Sequence, residues 1–473
     1  MSNKATRIGD LSEWNDEGRR IAAHNSSQIT DFHLGRIDEP RLLGDDRSET
    51  LARAVLDRVI NLNAAGRAEA ARDTFDPAHA PFIPIMEAGR AQGLSCVSVL
   101  GRSEYLVLQG TSHSERKTWH VKDGHAHSFE EPLRAFSWSR NRLHFVIAHD
   151  DGTVTIRRSL SDKPSETIPS PPASSLVPTG LSRRLAEKWE TPSMPLAISR
   201  IAVSDDGGTV LATDDAHGIL LYRKSNAAWS FDLLYPSLRD GLDLESEMDE
   251  MLAEEQDDPE YRFSPFLDML HSALSPDGRF AAFGTQDQGH YIVDLSLPRA
   301  RQVISQIGHM SEYPHDAVFD DLSERVALNS CHFYNGGTLA CRIEDCRGKS
   351  TPPYELAPFA TMINMYHRVY ASAWLPKGLS SQGKEGFLLA GSGYASCCSM
   401  EGQTLWEVDF GSSAGAVDIC PEVGQIALAS YSGMLHVFDP RQDETAPFVT
   451  HFRAPHELKR WIFWHEIGKP ICW

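Results

Sequence analysis

The most regular pattern in the chain is a set of short apolar runs separated by polar turns, and it is clearest between His271 and Asp294. This stretch reads HSALSPDGRFAAFGTQDQGHYIVD. Each turn carries the Asp and Gly residues that tight chain reversals need. The pattern predicts an antiparallel meander of short strands, which buries both of its faces only by stacking on further copies of itself.

The pattern recurs along the chain from about residue 90. When the copies are aligned on the last residue of the first strand in each meander, they give seven anchor positions: Leu100, Trp138, Val203, Leu274, Phe319, Trp374 and Ile419. The shorter separations between anchors lie near the period of about 40–45 residues that is typical of four-stranded propeller blades. The longer separations contain insertions, so we expect one repeated unit throughout.

The first insertion spans 161–193 and the second spans 236–262. Ser161–Gly180 is rich in Pro and Ser, so we expect a linker without a packed strand, followed by a helical turn at Arg183–Trp189. Between Phe319 and Trp374 the additional residues are spread over loops.

The second insertion is acidic, with eleven carboxylates and no Lys or Arg between Asp240 and Glu260. Its apolar residues recur at helical spacing, which predicts an amphipathic acidic helix. One interpretation is a docking element for a basic partner, formed by Leu244, Met248, Met251, Leu252, Glu254 and Glu255. The alternative is a helix packed on its own domain with its carboxylates solvated.

The first 78 residues form a separate N-terminal region, and 79–473 form the β domain. Residues 1–47 are polar without a sustained period, so we expect an irregular or partly helical arm. Apolar residues from Leu51 to Ile60 share one helical face, with Ser48 or Thr50 as the N-cap and Gly66 at the end. A second helix within Arg67–Phe75 completes a helical hairpin.

The C-terminal residues Arg460–Trp464 and Lys469–Trp473 are too aromatic and apolar for a solvated tail. An open array of meanders leaves exposed strand ends. We therefore expect this tail to be a strand pair that joins the last meander to the first, with Pro81–Met86 beside it.

Composition narrows the class of protein. The net charge of −20 argues against nucleic acid as a partner, because phosphate contacts are made by Lys and Arg. The sequence shows neither a secretory signal nor an apolar run long enough to span a bilayer, so the expected location is the cytosol, without a membrane partner. The eight cysteines are expected to be free and mostly buried.

Several short motifs resemble those of WD40-type β-propellers. The turns Ser275–Gly278 and Ser204–Gly207 have the form found between the first two strands of a blade, and Val293–Asp294 and Phe438–Asp439 resemble a degraded Trp-Asp dipeptide. Gly308-His309 is the nearest match to the Gly-His dipeptide. The resemblance implies an all-β, WD40-like propeller of seven blades, with six or eight as the alternatives, and a small helical extension.

Candidate metal ligands follow the second strand of several meanders, where turns open on one rim of a propeller. Imidazole and carboxylate groups there would suit Zn, Mn, Fe or Ca. Turn chemistry also explains these residue types. The candidates are His149, Asp150, Asp151, Asp214, Asp215, His217, Asp287 and His332, with His113 in the first of these turns.

Other chemistry has less support. His125 and His127 share one face of a predicted strand, but two ligands do not make a site. Gly391–Ser396 is glycine-rich, lacks the form of a nucleophile elbow, and is expected in a turn. We therefore expect a non-catalytic protein interaction scaffold without a cofactor, whose partner is another protein with a basic surface. The alternatives are a metal-assisted hydrolase or lyase with its site in the central channel, and a small-ligand sensor.

Overall fold

The computed structural model describes residues 11–88, 92–111, 114–189, 195–238, 241–257, 267, 269–286, 288–333, 335–365, 367–380, 382–441 and 456–473. The chain divides into two compact units. Unit 1 comprises Met1–Phe129, Leu375–Ser399 and Thr404–Trp473, and unit 2 comprises Glu130–Trp374 and Met400–Gln403.

The helices are few and mostly N-terminal. They are α1 (Glu13–His33), α2 (Glu49–Ala64), α3 (Ala68–Thr74), α4 (Ile83–Ala88), α5 (Arg183–Lys188), α6 (Gly241–Asp257) and α7 (Ile343–Cys346). Short 3-10 turns occur at Ala80–Phe82, Ala173–Leu176, Arg299–Arg301, Lys377–Leu379 and His465–Ile467.

Most of the regular structure is β-strand. The strands up to residue 235 are β1 (Leu94–Gly101), β2 (Glu104–Gln109), β3 (Lys117–Lys122), β4 (His125–Ser128), β5 (Leu133–Trp138), β6 (Phe145–His149), β7 (Val154–Arg157), β8 (Glu166–Ile168), β9 (Ile198–Val203), β10 (Thr209–Asp214), β11 (Gly218–Ser225) and β12 (Ala228–Tyr235).

The remaining strands follow α6. They are β13 (His271–Leu274), β14 (Phe280–Thr285), β15 (Gly289–Asp294), β16 (Val303–Ile307), β17 (Tyr313–Phe319), β18 (Arg325–Cys331), β19 (Gly336–Arg342), β20 (Lys349–Ser350), β21 (Ala360–Asn364), β22 (Val369–Leu375), β23 (Gly386–Cys398), β24 (Thr404–Cys420), β25 (Gln425–Ser430), β26 (Met434–Phe438), β27 (Glu457–Ile462) and β28 (Ile471–Cys472).

The strands form the predicted antiparallel meanders. In unit 1, β1 to β4 form one four-stranded sheet, and β23 to β28 pair in order as part of a second sheet. In unit 2 the four-stranded orders are β5 to β8, β9 to β12, and β17-β18-β19-β21, while β13 to β16 are extended by the short parallel strand β20. Each of the seven anchor residues is the last or the next-to-last residue of its strand, which confirms the alignment of the repeats.

The first strands of successive sheets in unit 2 are neighbours. Strand β5 contacts β9, β9 contacts β13, and β13 contacts β17. In an antiparallel meander, the turn between the second and third strands lies on the side where the first strand begins. We call this side of unit 2 the rim side, and the turns after β6, β10, β14 and β18 lie on it.

Two local predictions were wrong. The Pro/Ser-rich linker does hold a strand, because β8 pairs with β7. Strand β8 lies between Pro164 and Pro169 at the edge of its sheet, where a proline without an N–H costs no hydrogen bond between strands. Gly391–Ser396 lies inside β23 at a shift in its register with β24 rather than in a turn. Pro81–Met86 does lie beside the C-terminal residues, and it is helical.

The region of the expected helical hairpin contains α2 and α3, and the prediction for the cysteines is confirmed. The hydroxyl of Ser48 accepts a hydrogen bond from the N–H of Leu51 at 3.2 Å, so Ser48 is the N-cap of α2, and Gly66 follows its end with φ of +69°. The region before it contains more helix than expected, since α1 covers 21 residues. All eight cysteines are free, and seven of them are buried.

The C-terminal residues pair with the last sheet of unit 1 and not with the first. Strand β27 pairs with β26, and β28 pairs with β27. The last two tryptophans then pack on the N-terminal helices. Phe82 lies 5.8 Å from Trp464 and 5.5 Å from Trp473 between ring centroids, and Trp14 lies 5.4 Å from Phe82. The tail thus links the helical region to the β-sheets within unit 1.

A buried carboxylate strengthens this link. Glu457 at the start of β27 is 1% exposed. Its carboxylate accepts hydrogen bonds from Arg460 Nε at 2.9 Å and Arg72 Nη2 at 3.2 Å, and lies 2.8 Å from His436 Nδ1. Burial by itself raises the pKa of Glu457, but the two guanidinium groups and the hydrogen bond from His436 outweigh it and hold the pKa well below its usual range. The carboxylate is therefore charged in the folded protein.

The two arginines extend this network to the backbone of both regions. Arg72 on α3 also donates to the backbone oxygen of Trp473 at 2.9 Å, and Arg460 donates to that of Ala78 at 3.0 Å. Asn63 on α2 adds a second tie, because its side-chain amide donates to the backbone oxygen of Cys472 and accepts from its N–H, both at 2.8 Å. The helices and the last strands are thus joined by charged and polar contacts as well as by aromatic packing.

We predict that Glu457→Gln lowers the free energy of unfolding by about 3–5 kcal/mol, because it leaves two buried guanidinium groups without a countercharge. Urea unfolding followed by tryptophan fluorescence measures the change. The matched control is Glu466→Gln, which removes the exposed partner of Arg53 and is expected to cost less than about 1 kcal/mol. Equal effects of the two substitutions would contradict the importance of the buried pair.

Candidate functional site

The first strands of unit 2 carry an ion pair between the buried Asp316 and the partly exposed Arg200. Arg200 on β9 lies 2.6 Å from Asp316 on β17, measured from Nη1 to Oδ1. The other carboxylate oxygen of Asp316 accepts a hydrogen bond from the hydroxyl of Ser372 on β22. Burial raises the pKa of Asp316, and Arg200 and the Ser372 hydrogen bond oppose that increase. Because β13 lies between β9 and β17, Arg200 reaches past a neighbouring strand, so these strands face a common interior.

A second arginine makes a similar link at the other ends of the strands. Arg140, in the turn after β5, donates to the backbone oxygen of Phe319 at 3.1 Å and to that of Trp374 at 3.4 Å. Those two residues are anchor positions at the ends of β17 and β22. The interior of unit 2 is therefore crossed by an arginine side chain near each end of its first strands.

Three histidines lie close to the Arg200–Asp316 pair. His271 Nε2 is 3.3 Å from His290 Nδ1, and the ring of His315 packs edge-on against Tyr370 at 5.1 Å. Burial, and to a smaller extent the nearby His309, lowers the pKa of His290 to about 3. Burial, and to a smaller extent the charges of Arg200 and Arg368, lowers the pKa of His315 to about 3. Burial, His290 and Arg200 lower the pKa of His271 as well. All three imidazoles are neutral at pH 7, which suits hydrogen bonding and packing.

Several of the predicted metal ligands already have partners within their own sheets. His149 Nδ1 lies 2.8 Å from Glu131, Asp150 lies 2.6 Å from Arg134, and Asp151 accepts from the hydroxyl of Thr153 at 2.7 Å. Each of these contacts is local to the turn after β6 or to the strand ends beside it. The turn chemistry considered as the alternative therefore describes them well.

The other predicted ligands are arranged in the same way. Asp214 and His217 are joined at 2.7 Å, Asp215 accepts from the hydroxyl of Ser199 at 2.5 Å, and His332 lies 2.9 Å from Glu312. Asp287 and His113 lie outside the described residues. Within the described ranges, no group of three or more His, Cys, Asp or Glu side chains is placed to hold a metal ion. His125 and His127 do share a face of β4, with 6.3 Å between their ring centroids.

The predicted acidic helix forms as α6, and its apolar residues are covered by its own unit. Leu244, Met248 and Leu252 are buried against Leu185 of α5 and Trp189. Met251 is half-buried and Glu254 is exposed, and the side chain of Glu255 lies outside the description. The apolar face that was proposed for docking is thus occupied, as the alternative interpretation of this helix expects.

Polar contacts add to this anchoring. The carboxylate of Asp249 pairs with Arg184 on α5, and that of Glu245 accepts from the N–H of Ser182, which is the N-cap of α5. A different row of carboxylates remains on the helix surface. Asp243, Glu247, Glu250 and Glu254 follow one another at i, i+4, i+7 and i+11, which places them on one side of α6 over about 16 Å. We call these four residues the acidic stripe.

Sequence reasoning missed the interior cluster of unit 2. Its signal was present, because Arg200 and Asp316 are charged residues inside predicted first strands. Charged residues are rarely fully buried unless they are paired. The sequence alone does not show which opposite charge lies across the interior.

Comparisons with known proteins add little to this description. No protein-family model and no curated protein sequence matches the chain. Among solved structures, the crystal structure of the Myceliophteria thermophila Cps50 (Swd1) beta-propeller domain is similar at a TM-score of 0.42 and 11% sequence identity, covering 73% of this chain and 97% of that one. Because both values are low, we draw no conclusion from this similarity.

No helix in the described ranges has the length and apolar content to cross a bilayer.

We predict that the free energy of unfolding falls as the pH drops below about 6.5, because buried neutral histidines gain protons only on unfolding. The pKa of His290 is about 3 in the folded state and about 6.5 in the unfolded state. This difference makes the free energy of unfolding about 2 kcal/mol lower at pH 5 than at pH 7.5. The contribution of His290 is flat above about pH 7.5, where neither state binds its second proton.

Urea unfolding between pH 5 and 8 measures this dependence. His290→Gln is expected to remove about 2 kcal/mol of the difference between pH 7.5 and pH 5, and the exposed His125→Gln is the matched control with the wild-type dependence. A His290→Gln variant that keeps the full dependence would show that this histidine is not the titrating group.

Proposed function

We propose that this chain is a non-catalytic protein interaction module of the seven-bladed β-propeller type, and that it binds a basic partner protein through the acidic stripe of α6. The observation that carries this proposal is the anchoring of α6. Its apolar face is buried against α5 and Trp189, so the carboxylates on another side of the helix are held in fixed positions. A charged surface on a rigid element loses little conformational entropy on binding.

The propeller part of the proposal is supported by contacts inside each unit. In unit 2 the first strands of successive sheets are neighbours, and Arg200 reaches past β13 to Asp316. In unit 1 the first strand of the chain lies beside β24, where the N–H of Val99 donates to the carboxylate of Asp418 at 2.7 Å. Neighbouring first strands are what a radial array requires, and the contact of β1 with β24 supports its closure.

The electrostatics favour a basic protein as the partner. The chain carries a net charge of −20, and the stripe concentrates four carboxylates on one side of a helix. Complementary charge accelerates association and selects partners, more than it adds to final affinity. The rim turns beside α6 lie on the same side of unit 2, because the segment between β12 and β13 connects a fourth strand to a first strand there. Binding is therefore expected to weaken as the salt concentration rises.

We predict that the double substitution Glu250→Gln and Glu254→Gln reduces capture of the partner about tenfold at low salt, because steering by the stripe is lost. Affinity purification from the native host with quantitative mass spectrometry measures the loss. Both residues are exposed, so the fold is expected to remain stable.

The control is the double substitution Glu130→Gln and Glu355→Gln, which neutralises the same number of carboxylates elsewhere on unit 2. This variant is expected to capture the partner as the wild type does. Equal capture by all three proteins, or equal loss in the stripe variant and the control, would overturn the assignment to α6.

A further inference from the structure

A cavity of about 450 Å³ lies in unit 2 between α6 and the sheet that contains β14 and β15. Its volume is within the range of about 300–1,000 Å³ that is usual for ligand sites. Asp243 and Glu247 from the acidic stripe line one wall, and Phe283 and Tyr291 line another. None of the described residues that line it is a Lys or an Arg. The cavity therefore opens beside the surface proposed above to bind the partner.

The aromatic wall is built from stacked rings. Phe283 and Tyr291 lie 5.4 Å apart with an interplanar angle of 23°, and Tyr235 lies 5.7 Å from Phe283. Phe283 and Tyr235 are buried beneath Tyr291, which is half-exposed. The inner rings therefore support Tyr291 and fix its orientation, so that a flat aromatic surface borders the cavity.

Two glutamines hold the hydroxyl end of the same ring. The hydroxyl of Tyr291 donates to Gln288 Oε1 at 3.4 Å and accepts from Gln306 Nε2 at 3.4 Å, and Gln306 Nε2 also donates to the backbone oxygen of Gln288 at 3.3 Å. These contacts restrain the ring from its polar end. The amide oxygens add neutral hydrogen-bond acceptors near the carboxylates.

The carboxylates determine that the ligand carries a positive charge. Asp243 and Glu247 are one helical turn apart, where like charges repel each other. A cation between them would remove this repulsion, and it would also be attracted to the face of an aromatic ring. A guanidinium group satisfies both walls, because it is planar, stacks on aromatic rings and donates several hydrogen bonds to carboxylate and carbonyl oxygens.

We propose that this cavity is a recognition site for an arginine side chain of the basic partner. The inference rests on the proposed function, and it adds that one arginine enters the cavity while other basic residues of the partner contact the outer part of the stripe. The stripe then supplies attraction that is insensitive to side-chain shape, and the cavity supplies selection for the guanidinium group.

The experiment uses the full chain and three fluorescein-labelled nonapeptides of alternating Lys and Gly that differ only at the central residue, which is Arg, Lys or citrulline. Citrulline keeps the shape of arginine without its charge. Fluorescence anisotropy at low salt is expected to give an affinity about tenfold higher for the Arg peptide than for the citrulline peptide, with the Lys peptide between them. Equal affinity for all three peptides, or no binding of the Arg peptide, would overturn the cavity proposal.

Variants separate the cavity from the stripe. Tyr291→Leu, which keeps apolar volume beside Phe283, is expected to abolish the preference for Arg over citrulline while the citrulline peptide binds as before. Asp243→Asn is the second variant, because it lies on the exposed surface of α6 and does not disturb the core. Glu250→Gln with Glu254→Gln is expected to weaken all three peptides equally. A preference for Arg that survives both Tyr291→Leu and Asp243→Asn would contradict the assignment.

The two proposals fail in different ways. If all peptides bind equally and the Glu250→Gln and Glu254→Gln variant weakens them all, the stripe binds basic segments and the cavity does not select arginine. If the same variant leaves every peptide unaffected while Tyr291→Leu removes the Arg preference, the cavity is a site and the role of the outer stripe is wrong.

Discussion

The charged state of one buried carboxylate holds the N-terminal helices of this protein against its last sheet. Removing an ion from water is costly unless it is fully paired and hydrogen-bonded, and Glu457 meets that requirement only because Arg72 reaches it from α3 while Arg460 reaches it from its own strand. The same arginines bind backbone oxygens of Trp473 and Ala78. A shift of α3 would leave a buried charge uncompensated, so the helices and the last strands are expected to hold together or come apart as one cooperative unit.

Unit 2 uses its charges in two different ways. In the Arg200–Asp316 pair the carboxylate is buried and the guanidinium is partly exposed, and the pair joins strands that are not neighbours. The acidic stripe is exposed and contributes little to stability, since surface charges are screened and solvated. Its contribution is a localised potential on a helix that cannot easily shift, because its apolar residues and two further carboxylates bind α5. A mutation in the Arg200–Asp316 pair is therefore expected to affect folding, whereas a mutation in the acidic stripe is expected to affect binding.

Much of the fold followed from local pattern in the sequence. Alternation of apolar residues between Asp/Gly turns placed all seven anchor residues at or next to strand ends, and helical spacing placed α2 and α6. The failures have physical causes. Strand β8 has only three residues and is set by pairing with β7. Gly391–Ser396 lies in a long strand, opposite a register shift whose extra residues belong to β24. The interior cluster was missed because the partner of Arg200 is distant in sequence.

The contact between Asn63 and Cys472 has a consequence for solution behaviour. Strand β28 ends its sheet, and its outward-facing N–H and C=O groups would otherwise be a template for a strand from another molecule. The amide of Asn63 presents one donor and one acceptor with the spacing of a peptide group, so it occupies both positions from a helix. The peptide groups of Cys472 are therefore not available to pair with a strand of another molecule.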